Sequence, residues 1–509
     1  MSSKFLLFIF LTIFFTHCNN SNDEKRPNII LISVDDMGWS DVGCYGSEIQ
    51  TPNIDLLAAN GVRFSNFYNT SKCFPSRASL ITGLYARDCG YDRTYTNPLK
   101  SAVTLGEVLQ TAGYRTYWSG KHHGFDNPYD RGFNHYFGLK DGASNHFNPG
   151  LQRDGEADPA RKRSNRQWRI DSLIFHPYTP EEKDFYSTDY YTNYALEYIQ
   201  EANEMNLPFF LYLALTAPHD PLMAWPEDID KYRGKYNQGY EPVRKLRYEK
   251  QMAMGLLNET YTLSTNQYAV WDSLTPEYQK LESQKMEVYA AMIDRIDQNI
   301  GRVIDQLKKF EIFDNTLIMF VSDNGASSEM VRLKTDDDEA TPGSMGRWLS
   351  LGGSWANVSN TPYRYYKNFS YEGGINTPMI AHWPENIKAN SFSDFPGHFI
   401  DFMATVVDLS GAEYPEVFNG ESIIPMRGQS LLPVFAGEEA KREKPLYWEW
   451  GKGQAMRLGD FKIVRHGRDK EWDLYNLRTD PTETQNLANL NPTQLALMDS
   501  LFLLWRERN

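Results

Sequence analysis

Short apolar runs that stop abruptly at polar residues constrain this chain more than any other feature. Asn28-Ile29-Ile30-Leu31-Ile32-Ser33-Val34 is a nearly continuous apolar, β-branched run, so it reads as a strand buried on both faces of a parallel sheet. Phe209 to Leu215, Leu317 to Val321 and Met379 to Ala381 read the same way, and Tyr114 to Trp118 is a shorter candidate. Between them Val288, Met292, Ile296, Ile300, Val303, Ile304 and Leu307 recur at spacings of three and four, with charges filling the other face. Strands alternating with such helices predict an α/β sheet sandwiched by helices. From Tyr447 the pattern changes. Leu446 to Trp450, Gln454 to Leu458, Phe461 to Val464 and Trp472 to Tyr475 are short strand candidates between Gly and charged turns, followed by a helical tail from Thr493 to Arg508. At 509 residues the chain exceeds the usual size of a single core. The expected division is a large domain over 28–440 and a smaller antiparallel sheet with one helix over 441–509. The polar, Gly-rich stretch from Lys334 to Ser354 reads as a long loop near the sheet's active edge.

Ligands collect beyond the carboxyl ends of strands in such sheets. Here Asp35-Asp36, Lys121-His122-His123, Pro218-His219-Asp220 and Asp323-Asn324 each follow a strand, and a packed core has no need of them. Asp35, Asp36, Asp323 and Asn324 are hard oxygen donors, suited to Ca²⁺ or Mg²⁺ and poorly to zinc. Taken singly, each pair is equally explained as a turn or a helix cap. Cys73-Phe74-Pro75-Ser76-Arg77 reads as the start of a helix, with Pro75 in the first turn and Gly83 as the stop. That places Cys73 where free backbone N–H groups favour an anionic oxygen, and Arg77 one turn on.

A net charge of -14 excludes a broad basic face and with it a nucleic-acid binder. It does not exclude an anionic substrate, because a pocket around a divalent cation is locally positive. Lys4, the apolar stretch Phe5 to Phe15 and then Cys18 read as an export signal over 1–18, with 19–27 a polar tether. A cysteine closing that segment resembles a bacterial lipobox, an ordinary secretory signal being the alternative. The expected location is the periplasm or cell surface, as a lipoprotein whose one membrane contact is the lipid anchor. Of the four cysteines, Cys44 and Cys89 are left as a possible disulfide or as two buried thiols.

Several of these segments together carry a resemblance. Cys73-Phe74-Pro75-Ser76-Arg77, Gly120-Lys121-His122-His123-Gly124, Ala217-Pro218-His219-Asp220-Pro221, and Lys367 followed by Glu372-Gly373-Gly374 resemble, in order, the motifs of type I sulfatases. Asp130-Arg131-Gly132-Phe133 and Asp480-Pro481-Thr482-Glu483 extend the resemblance toward the carboxyl terminus. It implies an alkaline phosphatase-like fold, a mixed and mostly parallel sheet, and hydrolysis of sulfate monoesters. It implies that Cys73 is converted to formylglycine (3-oxoalanine) by a formylglycine-generating or radical maturation enzyme. Ca²⁺, or Mg²⁺, would sit on Asp35, Asp36, residue 73, Asp323 and Asn324. Arg77, Lys121 and Lys367 would hold the sulfuryl group, Asp323 would accept the nucleophile's proton, His219 would protonate the leaving alcohol, and His123 would help expel sulfate. The last glycine of the Lys121 motif arrives one residue early, which leaves His122 a rival to His123. Asn376 stands where many relatives carry arginine. A phosphodiesterase or phosphonate monoester hydrolase of the same superfamily, and an inactive glycan-binding relative, are the alternatives. The expected substrate is a sulfated polysaccharide or oligosaccharide, with Trp39, Tyr91, Trp348 and Trp355 as either sugar-stacking or packing residues.

Overall fold

A computed structural model describes residues 26–161, 166–333 and 337–507. The expected export signal and Cys18 lie outside the described residues, as do 334–336 of the expected loop.

Ten strands form one sheet. In chain order they are β1 (Asn28–Asp35), β2 (Val62–Phe64), β3 (Arg115–Gly120), β4 (His135–Leu139), β5 (Trp168–Ile170), β6 (Leu173–Phe175), β7 (Phe209–Pro218), β8 (Thr316–Ser322), β9 (Met379–His382) and β10 (Ser391–Ser393). Their spatial order is β10-β2-β9-β8-β1-β7-β3-β4-β5-β6. The centre is parallel: β1 pairs with β7 on one side and β8 on the other, and β3 joins β7 and β4 in the same sense. The run at Met379 to Ala381 is a buried strand as its composition requires, but it is antiparallel to both β8 and β2. A four-residue strand covered on both faces carries no periodicity that reports direction.

The even coverage of β1 explains its composition. Ile30, Ile32 and Val34 pack with Met292, Ile296 and Ile300 of one helical layer, whereas Ile29 and Leu31 pack on the other face with Phe402, Met403 and Val406. The first layer includes the helix read from its spacing, which runs Pro276–Lys309. Trp39 and Trp355 are fully buried, and Tyr91 and Trp348 nearly so, so all four are packing residues. Cys44 and Cys89 are separate buried free thiols.

Four antiparallel strands, β11 (Leu446–Trp450), β12 (Gly453–Leu458), β13 (Phe461–His466) and β14 (Asp473–Asn476), form the carboxyl-terminal sheet. The last helix, Pro492–Glu507, lays Met498 and Phe502 on Met456, Ile463 and Leu474. This sheet is fastened to the large one by a buried charge cluster. Lys462 on β13 meets Glu372 at 2.7 Å and Glu483 at 2.8 Å. Glu483 also accepts the backbone N–H of Glu372 at 2.8 Å, and Glu372 accepts the Tyr68 hydroxyl at 3.1 Å. Asn376 belongs to this junction, donating to the Ser65 carbonyl and to Glu372.

Candidate active site

Because β7, β1 and β8 are adjacent and parallel, their carboxyl ends bring His219, Asp35-Asp36 and Asp323-Asn324 to one edge. The chain turns sharply after β1, with Asp36 at φ +66°. Aspartate tolerates this left-handed conformation better than most residues. The turn is pinned from behind: Tyr289 donates to the Asp36 carbonyl at 3.1 Å and to Asp41 at 2.8 Å, and Asp41 also accepts the Gly38 N–H. Arg247, itself buried, holds Asp41 at 2.6 Å. The Asn324 amide donates to Asp36 Oδ1 at 2.6 Å, and the Asp36 N–H reaches Asp323 Oδ1 at 3.4 Å.

Cys73 opens the helix Cys73–Thr82, which ends at Gly83 in the left-handed conformation (φ +70°). Its Sγ lies 3.8 Å from Asp36 Oδ1. Asp35, Asp36, Cys73 and His219 each offer a donor atom, all within 4.8 Å of one another. Asp35 Oδ1 and Asn324 Oδ1 are buried acceptors with no hydrogen-bond partner among the described residues. Oxygens left unpaired in a buried site are costly, and oxygen-rich donors of this kind fit a hard divalent cation. The residues therefore fit a hard divalent cation, which Asp35, Asp36, Asn324 and the side chain at 73 would hold, with Asp323 adjoining.

Three buried cations surround these donors. Lys121 pairs with Asp35, Arg77 Nε with Asp323 Oδ2 at 2.8 Å, and Lys367 with Asp36 at 2.8 Å. Three carboxylates thus face three cationic side chains. Burial raises the Asp35 carboxyl, but Lys121, His219 and Arg77 outweigh it and hold the group well below the usual range. Asp323 goes the other way, to about 6, because burial and the neighbouring Asp35 outweigh Arg77 and Lys121. Burial pushes the Cys73 thiol far up despite Lys121 and Lys367, so as a plain cysteine the group is protonated.

His219 has its Nδ1 2.8 Å from Asp220 Oδ1 and its Nε2 3.4 Å from Asp36 Oδ2. Burial alone lowers its basicity, but Asp36 and Asp35 prevail and raise it. The two histidines at 122 and 123 have different neighbours. His123 lies edge-on to Phe74, the residue after Cys73, with ring centroids 5.7 Å apart. His122 packs edge-on against Trp118, with ring centroids 5.2 Å apart. His123 is held neutral by burial and by Lys121 and Arg77.

Three residues near the site carry no role in the sequence analysis above. Asp220 fixes His219 and accepts from Ser350. His146 reaches the His219 carbonyl at 3.2 Å and Ser187 at 2.7 Å. Glu329 meets Lys72 at 2.6 Å and Lys367 at 3.0 Å, and these lysines hold it ionised against the upward effect of burial. Asp220 was within view beside His219, whereas His146 and Glu329 sit in loops with no periodicity to mark them.

A helix-borne side chain at a cation-ringed, oxygen-rich edge of a mostly parallel sheet defines a hydrolase for anionic esters. The comparisons narrow the class. Residues 27–412 match the sulfatase family model and residues 362–502 match the model described as N-sulphoglucosamine sulphohydrolase, C-terminal. The chain belongs to the sulfatase family and is a sulfatase of alkaline phosphatase-like fold. It is 34% identical to an uncharacterized sulfatase of Schizosaccharomyces pombe, over 96% of this chain and 94% of that one. It is also 34% identical to an arylsulfatase of Klebsiella aerogenes, covering 83% and 95% of the two chains. The crystal structure of Ps i-CgsB in complex with k-i-k-neocarrahexaose is similar, with a TM-score of 0.69, 26% identity and coverage of 94% and 93%.

Proposed function

We propose that this sulfatase removes sulfate from a sulfated polysaccharide or its oligosaccharides, with formylglycine at position 73 as the nucleophilic residue. The observation that carries the reading is the meeting of Cys73, at a helix amino terminus, with Asp35, Asp36 and His219 inside a ring of Lys121, Arg77 and Lys367. The solved relative bound to a carrahexaose supports a carbohydrate substrate.

Charge sets the division of labour. The carboxylates of Asp35, Asp36 and Asp323 balance the cations of Lys121, Arg77 and Lys367 in the protein alone, so a divalent ion on Asp35, Asp36, Asn324 and residue 73 would supply the surplus positive charge a sulfate ester needs. Conversion of Cys73 supplies an aldehyde whose hydrate furnishes the attacking oxygen and a second hydroxyl for release of sulfate. Lys121, Lys367 and Arg77 orient the sulfuryl oxygens. Asp323 takes the proton of the attacking hydroxyl, a task suited to a carboxyl raised toward neutrality. Asp220 fixes Nδ1 of His219, which leaves Nε2 to protonate the departing alcohol. His123, whose Nδ1 has no hydrogen-bond partner among the described residues, removes the second hydroxyl's proton. Maturation by a formylglycine-forming enzyme, export with a lipid tether at Cys18, and a boundary near residue 440 between the two domains complete the proposal.

Turnover of 4-nitrophenyl sulfate and of a phosphodiester analogue tests it. The sulfate ester is expected to be the better substrate by at least about tenfold in kcat/KM. Chelation should abolish both turnovers, with recovery on Ca²⁺ or Mg²⁺ and not on Zn²⁺. Preference for the phosphodiester would favour the phosphonate-hydrolase reading instead.

A further inference from the structure

The rim above Lys367 carries a feature the reaction itself does not require. Lys367 is sealed from solvent (side chain 1% exposed), and the carboxylate reaching it from outside is Glu329, whose side chain is 36% exposed. Glu329 Oε1 also takes the ammonium of Lys72 at 2.6 Å and the Asn368 amide at 3.1 Å. Lys72 precedes Cys73 and Asn368 follows Lys367, so Glu329 bridges the two segments that flank the site. Asn368 Oδ1 accepts the indole N–H of Trp450 at 2.9 Å. Trp450 stands edge-on to Phe74 at 5.1 Å, and Phe74 contacts Tyr95 at 5.3 Å. Beyond Glu329 lie the part-buried Asn368 amide and the part-buried rings of Trp450 and Tyr95, with Phe74 buried behind them, a surface for hydroxyls and for the C–H face of a sugar.

We propose that Glu329 is a specificity-determining residue that makes the mouth of the site a charge filter. Building on the sulfatase reading above, this assigns the substrate class as sulfate esters on an otherwise uncharged sugar. The filter acts twice. The carboxylate occupies Lys72, which would otherwise offer a subsite for a second anionic group, and its own charge repels a neighbouring carboxylate or second sulfate. Substrate displaces nothing covalent. Only the ion pairs at the rim rearrange.

The test compares wild type, Glu329→Gln and Glu329→Asp on 4-nitrophenyl sulfate and on the sulfate ester of 4-hydroxybenzoate, which adds one carboxylate. The ratio of the two kcat/KM values is compared between variants, which cancels the difference in leaving groups. Across one solvated charge separation, loss of the carboxylate should lower the neutral-to-anionic ratio by about tenfold in the Gln variant. The Asp variant, which keeps the charge, should hold the ratio within about threefold of wild type even where KM changes. An unchanged ratio in Glu329→Gln, or an equal fall in Glu329→Asp, overturns the proposal. If Glu329→Gln does not fold, Lys72→Met reads the same filter from its other side. There the ratio should rise or hold, and a fall overturns the proposal. Failure of wild type to cleave either sulfate ester would instead overturn the functional reading on which this one rests.

Discussion

Cys73→Ala should lower kcat by at least about 10⁴-fold while leaving the fold intact. Cys73 is buried, but alanine removes a single sulfur atom whose hydrogen bond to Asp36 is long, at 3.8 Å, so the loss of packing is small. The change in unfolding free energy should stay within about 1 kcal/mol, as expected where no large cavity or unpaired charge is created. What is lost is the nucleophile on which Lys121, Arg77, Lys367 and His219 converge. Cys73→Ser sharpens the point. Its hydroxyl can take up sulfuryl but has no second hydroxyl with which to expel it, so one equivalent of product at most should appear before turnover stops. Stopped-flow release of 4-nitrophenol measures both. Sustained turnover by Cys73→Ala would remove residue 73 from the mechanism.

Lys462→Met should be the most destabilising single change outside the site. Lys462 is fully buried between Glu372 and Glu483, and its removal leaves two buried carboxylates with no cation between them. Breaking such a cluster costs about 3–5 kcal/mol, measured by urea unfolding. The loss has a pH signature. Burial and the facing Glu372 outweigh Lys462 and raise Glu483 to about 7. A carboxyl whose folded value is raised contributes stability that is fully present below its unfolded value and is lost as pH rises through the folded one. Wild-type stability should therefore fall between about pH 5 and pH 8, and Glu483→Gln should flatten that slope. Lys462→Met should be worst at high pH and recover on acidification as Glu483 takes up its proton. A pH-independent loss would contradict this account of the junction.

Much of the fold was legible because buried strands leave an unmistakable composition. The runs at Asn28, Phe209 and Leu317 are the three central parallel strands, and the polar residues that end them share one edge. Direction was not legible at Met379, where four buried residues serve an antiparallel strand as well as a parallel one. In the site, residues tied to strand ends or to the Cys73 helix could be read from the chain alone. Glu329 and His146 could not, since they arrive from loops whose path depends on tertiary packing. The different surroundings of His123, beside Phe74, and His122, beside Trp118, are not encoded in the spacing of the motif. The stacking role considered for Trp39, Tyr91, Trp348 and Trp355 gives way to burial. Trp450, legible in the sequence only as part of a strand, donates to Asn368 beside the Glu329 bridge.

The most direct measurement is mass spectrometry of the tryptic peptide containing position 73, on protein made in a host shown to mature a control sulfatase. The account predicts the mass decrease of a thiol converted to an aldehyde, in proportion to specific activity across preparations. Fully active protein carrying unmodified cysteine at position 73 would contradict it.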